Sequence, residues 1–175
     1  MPDLDYAGQS ADEISLAELQ ALLARVTHLE DERGIIDTLH RYGQAADDGE
    51  DQVWANLFVE NGVFLCLDRA ENVILREEGR PALARWLRNF RANEVRITKH
   101  CVLAPVVRIE GEQAFVKSYL TRISENPDPY APPFLLLMGK YRDELVKDTD
   151  GQWRFTQRIA QTEAPLRAPP QPDAD

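Results

Sequence analysis

Residues 29–58 read LEDERGIIDTLHRYGQAADDGEDQVWANLF, and the spacing inside this stretch governs how the rest of the chain is read. Ile35, Ile36, Leu39, Tyr42 and Ala46 recur three or four apart, so they form one stripe of a helix that faces a core. Where the stripe stops, the chain places Asp47, Asp48, Gly49 and Glu50. This polar break separates the helix from a short amphipathic one carrying Val53, Trp54, Leu57 and Phe58. Asp47 directly follows small core-facing residues, which puts its carboxylate at the mouth of the core. A carboxylate there needs a partner or a job.

Upstream, Ser15 can cap a helix and Glu18 completes a capping box. Leu16, Leu19, Leu22, Leu23, Val26 and Leu29 then give a second apolar stripe. The expectation is that this part lies across its own domain; the alternative is an arm that packs on another subunit. Gly34 weakens the middle and is expected to mark a bend.

Downstream, Asn61-Gly62 reads as a turn, Val63–Leu67 as a buried strand and 72–75 as its hairpin mate. Gly79-Arg80-Pro81 opens a helix with Leu83, Trp86, Leu87 and Phe90 on one face. Four strand-like segments follow without a helix, over 98–109, 113–123, 134–146 and 153–160. Helices first and hairpin strands afterwards predict an α+β fold, its helices packed on one face of a curved, mostly antiparallel sheet that encloses a cone-shaped pocket. The expected organisation is a loose arm over 1–14, a single domain over 15–163 and a proline-rich tail over 164–175.

Composition narrows the function classes. The chain has 175 residues, a net charge of −10, 43% hydrophobic and 29% charged residues. Such acidity argues against a nucleic-acid partner, which needs a basic surface to neutralise phosphates. There is no apolar run of about 18 residues, so no membrane partner is expected. The start MPDLDYAGQSADEIS lacks the basic and apolar regions of a signal peptide, and Cys66 and Cys101 are too few for a disulfide framework. A cytoplasmic protein with no metal centre is expected.

Among three histidines, His28 and His40 lie on the long helix outside its core stripe. His100 differs: strand alternation places Thr98, His100 and Val102 on one face, so the imidazole points to the covered side. A core histidine bonded to a backbone carbonyl is the plain reading. Tyr42 and Asp47 change the odds, although five residues apart they stand about 140° around an ideal helix and meet only near its end. A carboxylate that orients an imidazole, beside a phenol, is a compact acid–base set.

In their order, LEDERGIIDTLHRYGQAADDGEDQVWANLFVENGVF, GRPALARWL, TKHCVLAPVVRIEGEQAFVKSYL and GKYRDELVKDTDGQWRFTQR resemble the SnoaL-like branch of the nuclear-transport-factor-2-like superfamily, which includes scytalone dehydratase, bile acid 7α-dehydratase and lindane dehydrochlorinase. The resemblance spans roughly residues 29–160 and implies a cone-shaped α+β barrel with an internal pocket, dimeric or trimeric. Its dehydratases act through a tyrosine, an aspartate five residues later and a histidine on the first long strand, which match Tyr42, Asp47 and His100. The implied activity is a lyase or isomerase without metal or organic cofactor, acting on a small apolar, cyclic substrate. Phe64, Trp86, Phe90, Val102, Tyr119, Leu120, Phe134 and Leu136 are the expected pocket wall, and Arg158 a binder of an acidic substrate group. Arg122, Tyr141 and Arg142 are further polar candidates. Related sequences often carry Asn-Pro where this chain has Ala104-Pro105. Two other readings of the same scaffold are a ligand-binding or structural module without chemistry and a ring-hydroxylating dioxygenase small subunit.

Overall fold

The computed structural model describes residues 14–94 and 96–164. The expected N-terminal arm and C-terminal tail therefore fall, but for Ile14 and Ala164, outside the described residues. The chain forms α1 (Leu16–Asp48), α2 (Asp51–Ala55), β1 (Phe58–Leu67), β2 (Val73–Glu78), α3 (Arg80–Ala92), β3 (Thr98–Glu110), β4 (Gln113–Ser124), β5 (Phe134–Lys147) and β6 (Trp153–Thr162). The strands make one sheet in the order β2-β1-β6-β5-β4-β3. Every neighbouring pair is antiparallel except β1 with β6. The architecture is the expected α+β one, yet the sheet does not close: β2 and β3 remain its edges.

The local chemistry of α1 matches its sequence. The Ser15 hydroxyl accepts from the Glu18 N–H, and the Glu18 carboxylate accepts from the Ser15 N–H, which satisfies the first turn. The helix stops at Gly49, whose φ of 74° is the left-handed conformation that glycine adopts without penalty. Between these caps α1 passes through Gly34 as one uninterrupted helix.

Only the second half of α1 is a core helix. Ile35, Leu39, Tyr42, Ala45 and Ala46 are buried against the sheet. Leu16, Leu19, Leu22, Leu23, Val26 and Leu29 are exposed, which overturns the expectation that this half lies across its own domain.

Two boundaries also differ from expectation. Alpha-helix α2 ends at Ala55, and Phe58 opens β1 instead of closing the helix, because its ring packs on Phe155 across the parallel strand pair. Asn61 and Gly62 lie inside β1, at a register shift between Phe58 and Val63, and so make a bulge rather than a turn. Leu83 and Leu87 bury α3 against the core, with Trp86 and Phe90 half-buried beside them.

Candidate functional site

Asp47 and His100, 53 positions apart in sequence, meet where the end of α1 crosses the start of β3. The Asp47 Oδ1 lies 2.6 Å from the His100 Nδ1, and its Oδ2 accepts from the His100 backbone N–H at 2.9 Å. One carboxylate thus grips both the ring and the backbone of the same residue. In neutral imidazole this arrangement places the proton on Nδ1 and leaves the lone pair on Nε2. Gly43 makes the approach possible: a Cβ there would stand 3.1 Å from the His100 carbonyl oxygen and 3.5 Å from its Cβ.

Burial dominates the His100 titration and holds it below its ordinary range. The Asp47 hydrogen bond and charge act the other way, while the cationic Arg122 and Arg158 reinforce the lowering. The result is an imidazole that is neutral at neutral pH and can accept a proton. His28 and His40 are exposed on α1.

Tyr42 sits deeper. Its ring packs against Trp54, Phe58, Phe64, Tyr141 and Phe155 at centroid separations of 5.3 to 6.4 Å. Burial pushes its phenol well above the ordinary value, so it stays protonated and serves as a hydrogen-bond donor. Tyr42 also lies against Arg158, and neither side chain forms a hydrogen bond or ion pair with Asp47 or His100. That guanidinium carbon stands 3.9 Å from the Tyr42 ring centroid, 3.6 Å from that of Tyr141 and 4.7 Å from that of Phe155. An arginine on the last strand is ordinarily a surface partner; here it is 0% exposed.

Beside Arg158 lies a residue that sequence reasoning missed. Asp143, its cross-strand neighbour on β5, has its Oδ1 3.5 Å from the Arg158 Nε. Neither carboxylate oxygen and none of the three guanidinium nitrogens has a hydrogen-bond partner. The available signal was alternation: Leu137, Gly139, Tyr141, Asp143 and Leu145 share one face of β5, with an aspartate among apolar residues. Arg122, cross-strand from His100, is also buried and donates to Glu94 at 2.6 Å and to Thr98 at 3.2 Å.

Of the expected wall, Phe64 and Leu120 are buried on the inner face, and Trp86, Phe90, Val102 and Phe134 are half-buried. Trp86 and Phe90 stack at 5.3 Å. Two wall assignments fail. Tyr119 faces outward and is 63% exposed, since alternation on β4 gives the inner face to Ser118 and Leu120. Leu136 is displaced by a bulge opposite Arg122 and Ile123, and Leu137 takes the buried inner position. Arg142 also points outward, towards Glu71 at 3.5 Å. At Ala104-Pro105, β3 bulges and Ala104 takes a φ of 49°, a conformation that asparagine tolerates better than alanine.

The inner face is densely filled with aromatic rings. Cavities of about 570 and 480 Å³ open instead beside outward side chains such as Arg108, Phe115, Lys117 and Arg142; Asp143 borders the first and Tyr141 the second, and neither is lined by Tyr42, Asp47 or His100. Among the described residues no helix is long and apolar enough to cross a membrane. Nor does any group of three or more His, Cys, Asp or Glu side chains there have metal-binding geometry.

Comparison with known proteins places the chain in a family. An NTF2-like protein with a cystatin-like fold from Novosphingobium aromaticivorans superposes with a TM-score of 0.73 at 22% identity, covering 87% of this chain and 92% of its own. A candidate scytalone dehydratase from the same organism gives 0.66 at 25% identity, covering 82% and 94%. The beta subunit of a candidate aromatic-ring-hydroxylating dioxygenase, also from that organism, gives 0.69 at 19% identity, covering 82% and 95%. No curated protein matches the chain. The SnoaL-like domain model matches residues 27–159, and the chain therefore belongs to the SnoaL-like family.

Proposed function

We propose that the protein is a cofactor-independent lyase or isomerase that removes a proton next to a carbonyl in a small, largely apolar, cyclic substrate. The observation that carries this reading is the grip of Asp47 on His100, ring at 2.6 Å and backbone at 2.9 Å. A core histidine needs one acceptor; a carboxylate that holds both groups fixes the tautomer and stabilises the imidazolium formed on proton uptake. His100 Nε2 is the base. Tyr42 donates a hydrogen bond to the substrate oxygen, and the Arg158 cation stabilises the charge that develops there. The half-buried side chains of Trp86, Phe90 and Val102 mark the entrance to this face.

The proposal extends to a homo-oligomer, supported by the exposed stripe of α1 and by exposed Leu103, Tyr119 and Met138 on the sheet's outer face. The likeness to a dioxygenase beta subunit offers a purely structural role as the second reading. The buried Asp47–His100 pair speaks against it, because a scaffold gains nothing from a neutral imidazole held in one tautomer.

The test is turnover of cyclic keto and hydroxyketo compounds by wild type, His100→Ala and Asp47→Asn. A positioned base contributes ~10²–10⁴-fold, so each variant is expected to lose at least about a hundredfold in kcat with its circular dichroism unchanged. Equal turnover in all three proteins would overturn the proposal.

A further inference from the structure

Arg122 on β4 is the direct cross-strand partner of His100 on β3, so the two side chains leave the same face of the sheet with Cβ atoms about 4.5–5.5 Å apart. Their nearness shows in the imidazole's titration, which burial lowers and the Arg122 charge lowers further. The Arg122 guanidinium lies over the Phe90 ring at 5.2 Å, beside the half-buried entrance. Arg158, by contrast, is enclosed by the rings of Tyr42, Tyr141 and Phe155. Arg122 is 9% exposed, yet its hydrogen bonding is incomplete. Glu94 at 2.6 Å and Thr98 at 3.2 Å both accept from its Nη2, and the buried Nε has no partner among the described residues. A carboxylate kept there for structure alone would take the fork geometry that engages Nε and Nη2 together. Glu94 is also replaceable. It follows Asn93, the cap residue of α3, and precedes β3, so its side chain can turn to solvent without disturbing the helix or the strand.

We propose that Arg122 is the docking point for a carboxylate of the substrate, which displaces Glu94 and fills the fork, and that the substrate class is accordingly a small cyclic compound bearing a carboxylate besides the reacting carbonyl. That this ligand is a substrate rests on the proton-abstraction reading above; its binding rests on Arg122 alone. The bidentate pair fixes one end of the molecule beside His100. The apolar ring then lies against the half-buried Phe90 and Val102. Between turnovers Glu94 holds the cation, so the guanidinium is not left in the interior without a counter-charge. A neutral ligand cannot compete with Glu94 for the cation, and the site selects acids by that difference.

The experiment uses the full chain and two probes, benzoate and its neutral isostere benzamide. Binding is read from NMR shifts of the backbone amides and of the Arg122 Nε–H. Wild type is expected to bind benzoate at least about tenfold more tightly than benzamide, and the Arg122 Nε–H signal to move with benzoate only. Arg122→Gln is expected to lose that preference. Glu94→Gln removes the competing carboxylate and is expected to tighten benzoate about tenfold while leaving benzamide within about twofold. A purely structural pair gives no such gain. If Arg122→Gln does not fold, Glu94→Gln and the wild-type Nε–H signal decide. The proposal is overturned by equal or absent binding of the two probes in wild type and Glu94→Gln, or by benzoate binding that Glu94→Gln does not tighten. Benzoate shifts confined to outward cations such as Arg108 and Lys117 overturn it as well. No turnover enters the measurement, so a failed base and a failed carboxylate site are separate results.

Discussion

Asp47 occupies an unfavourable place for an anion, the last turn of a helix, where the macrodipole costs about 0.3–1 kcal/mol. Two hydrogen bonds to a charged acceptor, about 1.5–3 kcal/mol each, outweigh that cost. The pair is therefore held by its mutual contacts and not by the helix. Gly43 is the residue that permits them. A methyl group there would press on the His100 backbone at 3.1 Å, yet alanine would gain about 1 kcal/mol of helix propensity over glycine. Stability and function are thus expected to separate in Gly43→Ala. Its thermal midpoint stays near that of wild type, while β3 shifts by a few tenths of an ångström and turnover falls on the order of tenfold. Thermal denaturation and kinetics on one preparation check this; a large loss of stability with intact turnover would contradict it.

At the scale of elements, α1 is two helices in function though one in geometry. Leu39, 0% exposed, and Leu23, 57% exposed, lie on the same continuous helix. In dilute solution Leu39→Ala is expected to cost about 2–5 kcal/mol by leaving a cavity. Leu23→Ser is expected to change stability by no more than about 0.5 kcal/mol. Urea titration of both variants is the check, and a Leu23→Ser cost as large as that of Leu39→Ala would mean that the stripe is packed within the subunit. Periodicity could not distinguish the halves, because an apolar stripe states that a face is to be covered and not by what. The same limit explains Asn61-Gly62: a bulge and a turn share their residue chemistry, and only the pairing of β1 with the distant β6 chooses between them. Alternation, a purely local property, found the four long strands and the inward His100, and failed by one residue at the Leu136 bulge.

Across the whole molecule, the fold was legible because its determinants are local: caps, stripes, hairpin turns and the order of helices before strands. The Asp47–His100 partnership was legible as a candidate acid–base set that the resemblance strengthened, but their contact was not, since the two are 53 positions apart. Alternation along β5 sets Asp143 among apolar residues, but its depth and that of Arg158 were not legible, because burial on a strand depends on what covers the sheet. The account's central claim is the coupling of Asp47 to His100, and NMR titration of the His100 imidazole in wild type and Asp47→Asn tests it most directly. Burial already holds this histidine below its ordinary range against the opposing pull of Asp47. Removing the carboxylate charge is therefore expected to move the midpoint further down and to free the ring from a single tautomer. A midpoint that is the same in both proteins would contradict the coupling and with it the proposed base.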